Sequence, residues 1–227
     1  MGIVCKHLVK QFGKPPVKVI RGIDLNINDG DFVSISGRSG SGKSTLLYLL
    51  STLDQPSSGE VFIDGINPTS ISVEELHEFR NRSLGFVFQF HYLLPELTAL
   101  ENALLPARKI KQHLQKIDYV TELMEQFEIA DLKHKRPSQL SGGEQQRVAI
   151  VRALSMKPRF LFADEPTGNL DSFNADVVMN ILKQANKERG MTLVLVTHEP
   201  EFASMAEKEI FLKDGVVVSK ENHDSVV

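Results

Sequence analysis

One short segment constrains the fold of this chain more than any other. Residues 37–44 read G-R-S-G-S-G-K-S and fit the pattern G-x-x-x-x-G-K-[ST]. A strand is predicted before it, at residues 32–35, and a helix after it, at residues 45–50. Glycines let backbone N–H groups turn inward around phosphates, and a helix N-terminus adds unpaired donors and a positive dipole end. This context favours a nucleotide-binding loop over a flexible Gly/Ser-rich linker that fits the pattern by chance.

Two polar side chains of the loop have predicted roles in binding a nucleotide. Lys43 can reach the β- and γ-phosphates of a nucleotide, and the Ser44 hydroxyl can coordinate Mg²⁺. The predicted phosphate-binding residues are Gly37, Arg38, Ser39, Gly40, Ser41, Gly42, Lys43, Ser44 and Thr45.

A second acidic site follows another apolar run. Residues 160–163 read F-L-F-A and are followed directly by Asp164 and Glu165. In open α/β folds, ligands bind at the carboxyl edge of the sheet, where such a strand places its last side chains. We expect Asp164 to hold Mg²⁺ and Glu165 to polarise an attacking water. Alone, the pair fits a solvated turn equally well, and it gains meaning only beside the phosphate loop.

Short apolar runs of strand length alternate with helical stretches, which predicts an α/β fold with buried parallel strands. Further strands are predicted at residues 61–63, 85–88 and 192–196, and a hairpin at residues 209–218 around an Asp-Gly turn. Residues from about 90 to 155 contain no convincing strand. Leu114, Ile117, Val120, Met124 and Phe127 recur there at helical spacing, so this stretch is predicted to be a helical insertion.

Composition narrows the class of protein. The 227 residues carry Lys+Arg 26 and Asp+Glu 29, a formal net charge of −3, whereas dedicated nucleic-acid binders are usually basic, so we expect no nucleic-acid partner. The one cysteine, Cys5, allows no intrachain disulfide and fits a reducing compartment. No secretion signal and no apolar run long enough to span a membrane is present in the sequence, although the protein could work beside one.

A third motif identifies a family. Residues 140–147 read L-S-G-G-E-Q-Q-R and resemble the L-S-G-G-x-x-x-R signature of ABC transporter ATPases. The other motifs of that family follow in its order: an aromatic A-loop residue at Phe12, a Q-loop glutamine at Gln89, a D-loop at residues 169–171 and an H-loop histidine at His198. The resemblance covers residues 4–218. It implies one nucleotide-binding domain with a RecA-like core and an antiparallel β subdomain at about 1–89 and 156–227, and a helical subdomain at about 90–155.

The resemblance also implies roles for these residues. Phe12 would stack on adenine, although a phenylalanine packed in the core remains the alternative. Gln89 would touch Mg²⁺ and the attacking water, and His198 would clamp the γ-phosphate beside the catalytic Glu165. The signature residues Ser141, Gly142 and Gly143 would bind the γ-phosphate held by a second copy of the chain. An ATPase is therefore expected to work as a head-to-tail homodimer with ATP and Mg²⁺.

Within the family, residues 85–102 and 163–171 look most like the lipoprotein-releasing and macrolide-export group, the LolD and MacB types. A free-standing ATPase fits lipoprotein release better, with an efflux or peptide export pump or a cell-division regulator of the FtsE type as alternatives. A non-transport ABC ATPase would carry a long coiled-coil insertion or a second cassette. This sequence shows one cassette and no heptad repeat, which disfavours that alternative. The resemblance implies a peripheral protein on the cytoplasmic face of the inner membrane, bound to permease subunits through a groove near residues 89–106. There, we expect Phe90, His91 and Tyr92 near the groove and Leu93, Leu97 and Leu100 in the core.

Overall fold

The computed structural model describes residues 2–218 of the chain. The described residues form two compact units, the first of residues 2–77 and 186–218 and the second of residues 78–185. The strands are β1 (Ile3–Phe12), β2 (Val17–Ile27), β3 (Phe32–Ser36), β4 (Ser58–Ile63), β5 (Leu84–Phe88), β6 (Phe160–Asp164), β7 (Thr192–Val196), β8 (Lys208–Lys213) and β9 (Val216–Val218). The helices are α1 (Lys43–Leu50), α2 (Val73–Ser83), α3 (Ala99–Ala103), α4 (Leu105–Lys109), α5 (His113–Gln126), α6 (Gly142–Leu154), α7 (Ser172–Arg189) and α8 (Pro200–Ala203). No helix among the described residues combines the length and the apolar character that crossing a membrane requires.

The first unit contains a three-stranded antiparallel sheet in the order β2-β1-β4. Ile3, Leu8 and Ile20 from its strands are buried in the core. Register shifts interrupt the pairing of β1 with β2 at three places. At one of them, between the paired residues Cys5 and Leu8, His7 adopts a left-handed φ of 49°. Such bulges bend a strand and break the simple alternation of its side chains.

The same unit holds a set of parallel strands, in which β3 pairs with β7 and with β8. Every residue of β3 and β7 is buried, as expected for parallel strands covered on both faces. β8 returns antiparallel as β9 through Asp214 and Gly215, both with positive φ, which fits a type I′ hairpin turn. The hairpin predicted at residues 209–218 is therefore present.

In the second unit, β5 and β6 pair in parallel, with Phe88 opposite Asp164. Between these two strands, residues 89–159 form helices and turns only. Helix α5 buries Val120 and Met124, as their spacing predicts, and also Leu123. Leu114 differs from the prediction, because its side chain lies at the start of that helix and is 73% exposed.

The predicted α/β fold with its antiparallel strands and helical insertion is confirmed. The finer division into subdomains at about residues 89 and 156 stays a prediction.

Candidate functional site

The phosphate loop lies in the first unit, between the buried strand β3 and helix α1. Gly37, Gly40 and Gly42 all have positive φ, at 139°, 77° and 103°, which side chains with a Cβ rarely adopt. A Cβ at Gly37 would collide with the Leu212 carbonyl oxygen. The backbone conformation of this loop therefore favours glycine at the two glycine positions of the pattern, and also at Gly40 between them.

The N-terminus of α1 has the features of an anion-binding site. Its N-cap, Gly42, offers no side-chain hydrogen bond, and no acidic residue lies in its first turn. The first N–H groups of a helix lack intrahelical partners, so an incoming phosphate can accept from them. Arg38 and Ser39 are exposed at the tip of the loop, whereas Ser44 and Thr45 are partly buried in the first helical turn.

Lys43 lies across the loop. Its Nζ donates to the carbonyl oxygens of Gly37 and Arg38, at 3.0 and 3.2 Å, and the residue is only 7% exposed. The Ser41 hydroxyl is also buried, and it has no hydrogen-bond partner within the part of the chain that the structure describes. A buried ammonium beside an unpartnered hydroxyl fits a phosphate group, which would satisfy both.

Two other predicted residues lie in the same unit. His198 is exposed and follows β7, whose Val196 pairs with Ile35 of β3. Since parallel neighbours end at one edge, His198 and the phosphate loop leave the same edge of these strands. Phe12 ends β1 and is 46% exposed, with the Lys10 ammonium 4.9 Å from its ring centroid. Its exposure removes the alternative of a packed core phenylalanine.

The acidic site lies in the second unit, at the end of β6. Asp164 is the last residue of the strand and is buried, while Glu165 is partly exposed and has a left-handed φ of 46°. A positive φ is unusual for glutamate and is found most often where a site imposes it. The Gly168 N–H donates to the Glu165 carbonyl oxygen at 3.1 Å, which closes a turn directly after the two carboxylates.

Gln89 is brought to the same edge as these carboxylates. It follows Phe88, the residue paired with Asp164. The Asn169 amide donates to the Gln89 carbonyl oxygen at 3.0 Å, and the Gln89 amide nitrogen lies 3.4 Å from Asn169 Oδ1. A Cβ on Gly168 would lie 2.8 Å from that amide nitrogen. The predicted Q-loop and D-loop residues are therefore in direct contact.

The signature segment forms the N-terminus of helix α6. Ser141 is the N-cap and makes a capping box with Glu144, whose carboxylate accepts from the Ser141 N–H at 2.6 Å. This hydrogen bond is the main cause of the lowered pKa of Glu144. Gly142 is exposed, and a Cβ there would make only an ordinary contact with Leu170, at 3.9 Å, whereas Gly143 is buried against Asn174, where a Cβ would collide. Ser141 and Gly142 thus leave the backbone exposed at the start of the helix.

Gln146 is a residue that the sequence patterns left without a role. It is fully buried, and its Nε2 donates to the carbonyl oxygens of Pro166 and Phe88, at 2.6 and 3.2 Å. It therefore fixes the backbone on either side of the acidic site, at the ends of β5 and β6. Its partners lie 58 and 20 residues away, so no local pattern could have indicated this contact.

The segment after Gln89 is partly as predicted. Phe90 and Tyr92 are 62% and 64% exposed, and Leu94 is exposed as well. His91 is half-buried, and its place near a groove stays a prediction. Leu93, Leu97 and Leu100, expected in the core, are each only partly buried.

The fold and the phosphate loop define a P-loop nucleotide-binding protein, and comparisons with known proteins define its family. The family model described as ABC transporter matches residues 20–168. A LolD lipoprotein-releasing system ATP-binding protein from Leptospira interrogans is 52% identical over 99% of this chain and 94% of its own. A protein of the same name from Aquifex aeolicus is 50% identical over 89% of this chain and 91% of its own.

A solved structure described as a dimeric bacterial ABC transporter cassette covers 96% of this chain and 97% of its own, with 42% identity and a TM-score of 0.87. Another, an ATP-binding cassette dimer bound to ADP and Pi, covers the same shares at 40% identity and a TM-score of 0.85. The chain belongs to the ABC transporter family. It is an ATPase of that family, an enzyme that binds and hydrolyses ATP.

Proposed function

We propose that this ATPase powers the release of lipoproteins from the inner membrane toward the outer membrane. The observation that carries the proposal is the similarity, over nearly the whole chain, to relatives named lipoprotein-releasing system ATP-binding protein, at 43–52% identity. That shared name favours lipoprotein release over the export-pump and cell-division alternatives. The protein would act at the cytoplasmic face of the inner membrane, bound to permease subunits.

We assign ATP binding in the first unit to the phosphate loop, His198 and Phe12. Lys43 would leave the loop carbonyls for the β- and γ-phosphates, and the unpartnered Ser41 hydroxyl would gain an acceptor. Phe12 is exposed enough to stack on adenine, and His198 would contact the γ-phosphate.

Mg²⁺ fits the donor set of hydroxyl, amide and carboxylate oxygens that the predicted ligands supply, because hard cations prefer oxygen ligands. In the second unit, Gln89 and the buried carboxylate of Asp164 at the end of β6 are the proposed ligands, and in the first unit the Ser44 hydroxyl is the proposed ligand. Bound Mg²⁺ would neutralise charge on the β- and γ-phosphate oxygens.

Glu165 is the proposed general base for the attacking water. The Glu165→Gln substitution keeps the size of the side chain and removes its basicity. Turnover should fall by about 10²–10⁴-fold, while ATP binding is retained. Near-normal turnover in this variant would remove Glu165 from the role.

The proposed working form is a head-to-tail homodimer. Ser141, Gly142 and Gly143 would bind the γ-phosphate held by the other copy, through the open backbone at the start of α6. Solved relatives described as dimeric cassettes support the formation of a dimer. Closure of the dimer would move the permease through the exposed rings of Phe90 and Tyr92.

Affinity capture of the tagged chain from detergent-solubilised membranes, followed by mass spectrometry, tests the proposal. We expect a pair of membrane subunits with large periplasmic domains, together with bound lipoprotein. A single efflux-type permease or division proteins would move the function to an alternative. Recovery of no membrane subunit would count against a transport role.

A further inference from the structure

A largely buried ammonium, that of Lys10, lies beside the exposed ring of Phe12 in the first unit. The Lys10 Nζ donates to Asp54 Oδ1 at 2.6 Å and to the Gln55 carbonyl oxygen at 2.7 Å. The side chain of Lys10 is only 12% exposed, and that of Asp54 is 33% exposed. Charge-assisted hydrogen bonds shielded from water are stronger than those of a solvent-exposed ion pair. The ammonium is therefore held at a defined point.

The same ammonium lies over the ring of Phe12, 4.9 Å from the ring centroid. An ammonium has three N–H groups, and since Asp54 and Gln55 accept from two of them, the third can point to the ring. A cation within about 6 Å of a ring centroid is attracted by the negative face of the ring. Because the ammonium is itself fixed, this contact orients an otherwise exposed side chain. The opposite face of the ring is then the one left for a planar ligand.

The acceptors of Lys10 belong to the turn that follows α1, the helix that starts at the phosphate loop. In that turn, the Asp54 N–H donates to the carbonyl oxygen of Tyr48, a residue of α1, at 3.1 Å. The contacts of Lys10 thus join the end of β1, where Phe12 lies, to the helix that presents its N-terminus to the phosphates.

We propose that Lys10 is a positioning residue for the adenine base of the bound nucleotide. Its ammonium covers one face of the Phe12 ring, holds the ring in one orientation and leaves the other face for the base to stack on. Its hydrogen bonds to the turn after α1 fix the ring relative to the phosphate loop, so that the base and the phosphates are bound together. This role rests on the adenine stacking proposed for Phe12, and it does not depend on lipoprotein release.

Lys6 provides a matched control on the same strand, β1. Its Nζ lies over the ring of Phe62, 5.8 Å from the ring centroid. Phe62 pairs with Val4, near the opposite end of β1 from Phe12. The Lys6→Met substitution therefore removes a cation from an aromatic face of the same sheet and leaves the ring of Phe12 as it is.

Isothermal titration of the purified full chain with ADP and with pyrophosphate, both in the presence of Mg²⁺, tests the proposal. Pyrophosphate carries the phosphates of ADP without the base. Lys10→Met keeps the length of the side chain and removes its charge, so the Kd for ADP should rise about five- to tenfold, while the Kd for pyrophosphate stays within about twofold. Lys10→Arg keeps a cation that can lie over the ring, and it should bind ADP within about twofold of the wild type. Lys6→Met should change neither affinity.

Two results with Lys10→Met would overturn the proposal. Equal losses of affinity for ADP and for pyrophosphate would show that the substitution damages the whole unit rather than the base site. An unchanged affinity for ADP would show that the ring of Phe12 needs no cation to hold it.

Phe12→Ala separates the positioning role from the stacking on which it rests. Loss of the ring should weaken ADP binding about 5–100-fold. Adding Lys10→Met to Phe12→Ala should weaken it by no more than about a further twofold, because the ammonium acts through the ring. A further loss as large as in Lys10→Met alone would overturn the positioning role. Full ADP affinity in Phe12→Ala would refute the proposed adenine stacking and this role with it, whereas a loss in Phe12→Ala without one in Lys10→Met would refute this role alone.

Discussion

Substitution of Asn102 tests how hydrogen bonds stabilise the backbone of residues 94–98. The residue is fully buried, and its Oδ1 accepts from the Leu94 N–H at 2.7 Å. Its Nδ2 lies 3.0–3.1 Å from the carbonyl oxygens of Leu94, Leu97 and Thr98. The side-chain amide of Asn102 thus makes hydrogen bonds to the backbone of this loop that regular secondary structure would otherwise supply.

The cost of losing this amide follows from the contacts. Two N–H groups serve three acceptors, so Asn102 makes about three full hydrogen bonds, each worth roughly 0.5–1.5 kcal/mol net. The Thr98 carbonyl keeps a partner, since it also accepts from the Asn102 backbone N–H at 2.9 Å. We expect Asn102→Leu to lower the free energy of unfolding by about 2–4 kcal/mol.

Asn81→Leu is the matched control. Asn81 makes one side-chain hydrogen bond, to the Pro106 carbonyl oxygen at 3.1 Å, and its buried Oδ1 has no partner among the described residues. Removal of that unpartnered oxygen offsets the lost bond, so the cost should stay below about 1 kcal/mol. Urea unfolding followed by circular dichroism measures both variants, with the slope checked for constancy. Equal costs for the two substitutions would refute the reasoning about the loop.

Three further predictions follow from single sites. Burial raises the pKa of the Cys5 thiol to about 12 from an ordinary 9.0, so a disulfide reagent should react about 10³-fold more slowly with the native chain than with the unfolded chain, as measured by thiol titration. Gly143→Ala should cost about 1–3 kcal/mol in thermal unfolding, because its Cβ collides with Asn174. Gly142→Ala, whose Cβ would make only an ordinary contact with Leu170 at 3.9 Å, should cost nothing, and similar losses would contradict this. Burial, and then the charge of Arg152, lower the pKa of His91 below 6.5, so the folded chain binds fewer protons, and stability should fall as pH drops below about 6.5. His91→Gln should lose that part of the pH dependence, and an unchanged profile would show that His91 is not its source.

The parts of the fold that could be predicted are those marked by a local pattern in the sequence. The β3, β6 and β7 strands are short apolar runs buried throughout, and the phosphate loop fits its pattern between a strand and a helix. β1 and β2 were implied only by the family resemblance, with no residues assigned. Register shifts between positions such as Cys5 and Leu8 break the alternation that would have marked them as strands.

The parts of the site that were missed depend on contacts between distant residues. Gln146 reaches carbonyls 20 and 58 residues away, and Arg152 reaches carbonyls 60 and 61 residues away. Residue type and spacing do not predict such a contact, because a buried glutamine or a partly buried arginine has the same sequence pattern as a surface residue of a helix.

ATP-dependent release of a lipoprotein tests the central claim most directly. The chain and its co-purified membrane subunits are reconstituted in liposomes that contain a labelled lipoprotein, and the label released to a soluble acceptor is counted. The wild type should release lipoprotein only when Mg·ATP is present, and Glu165→Gln should bind ATP but release almost none. Release by Glu165→Gln at the wild-type rate, or none by a wild type that hydrolyses ATP in the same liposomes, would contradict the account.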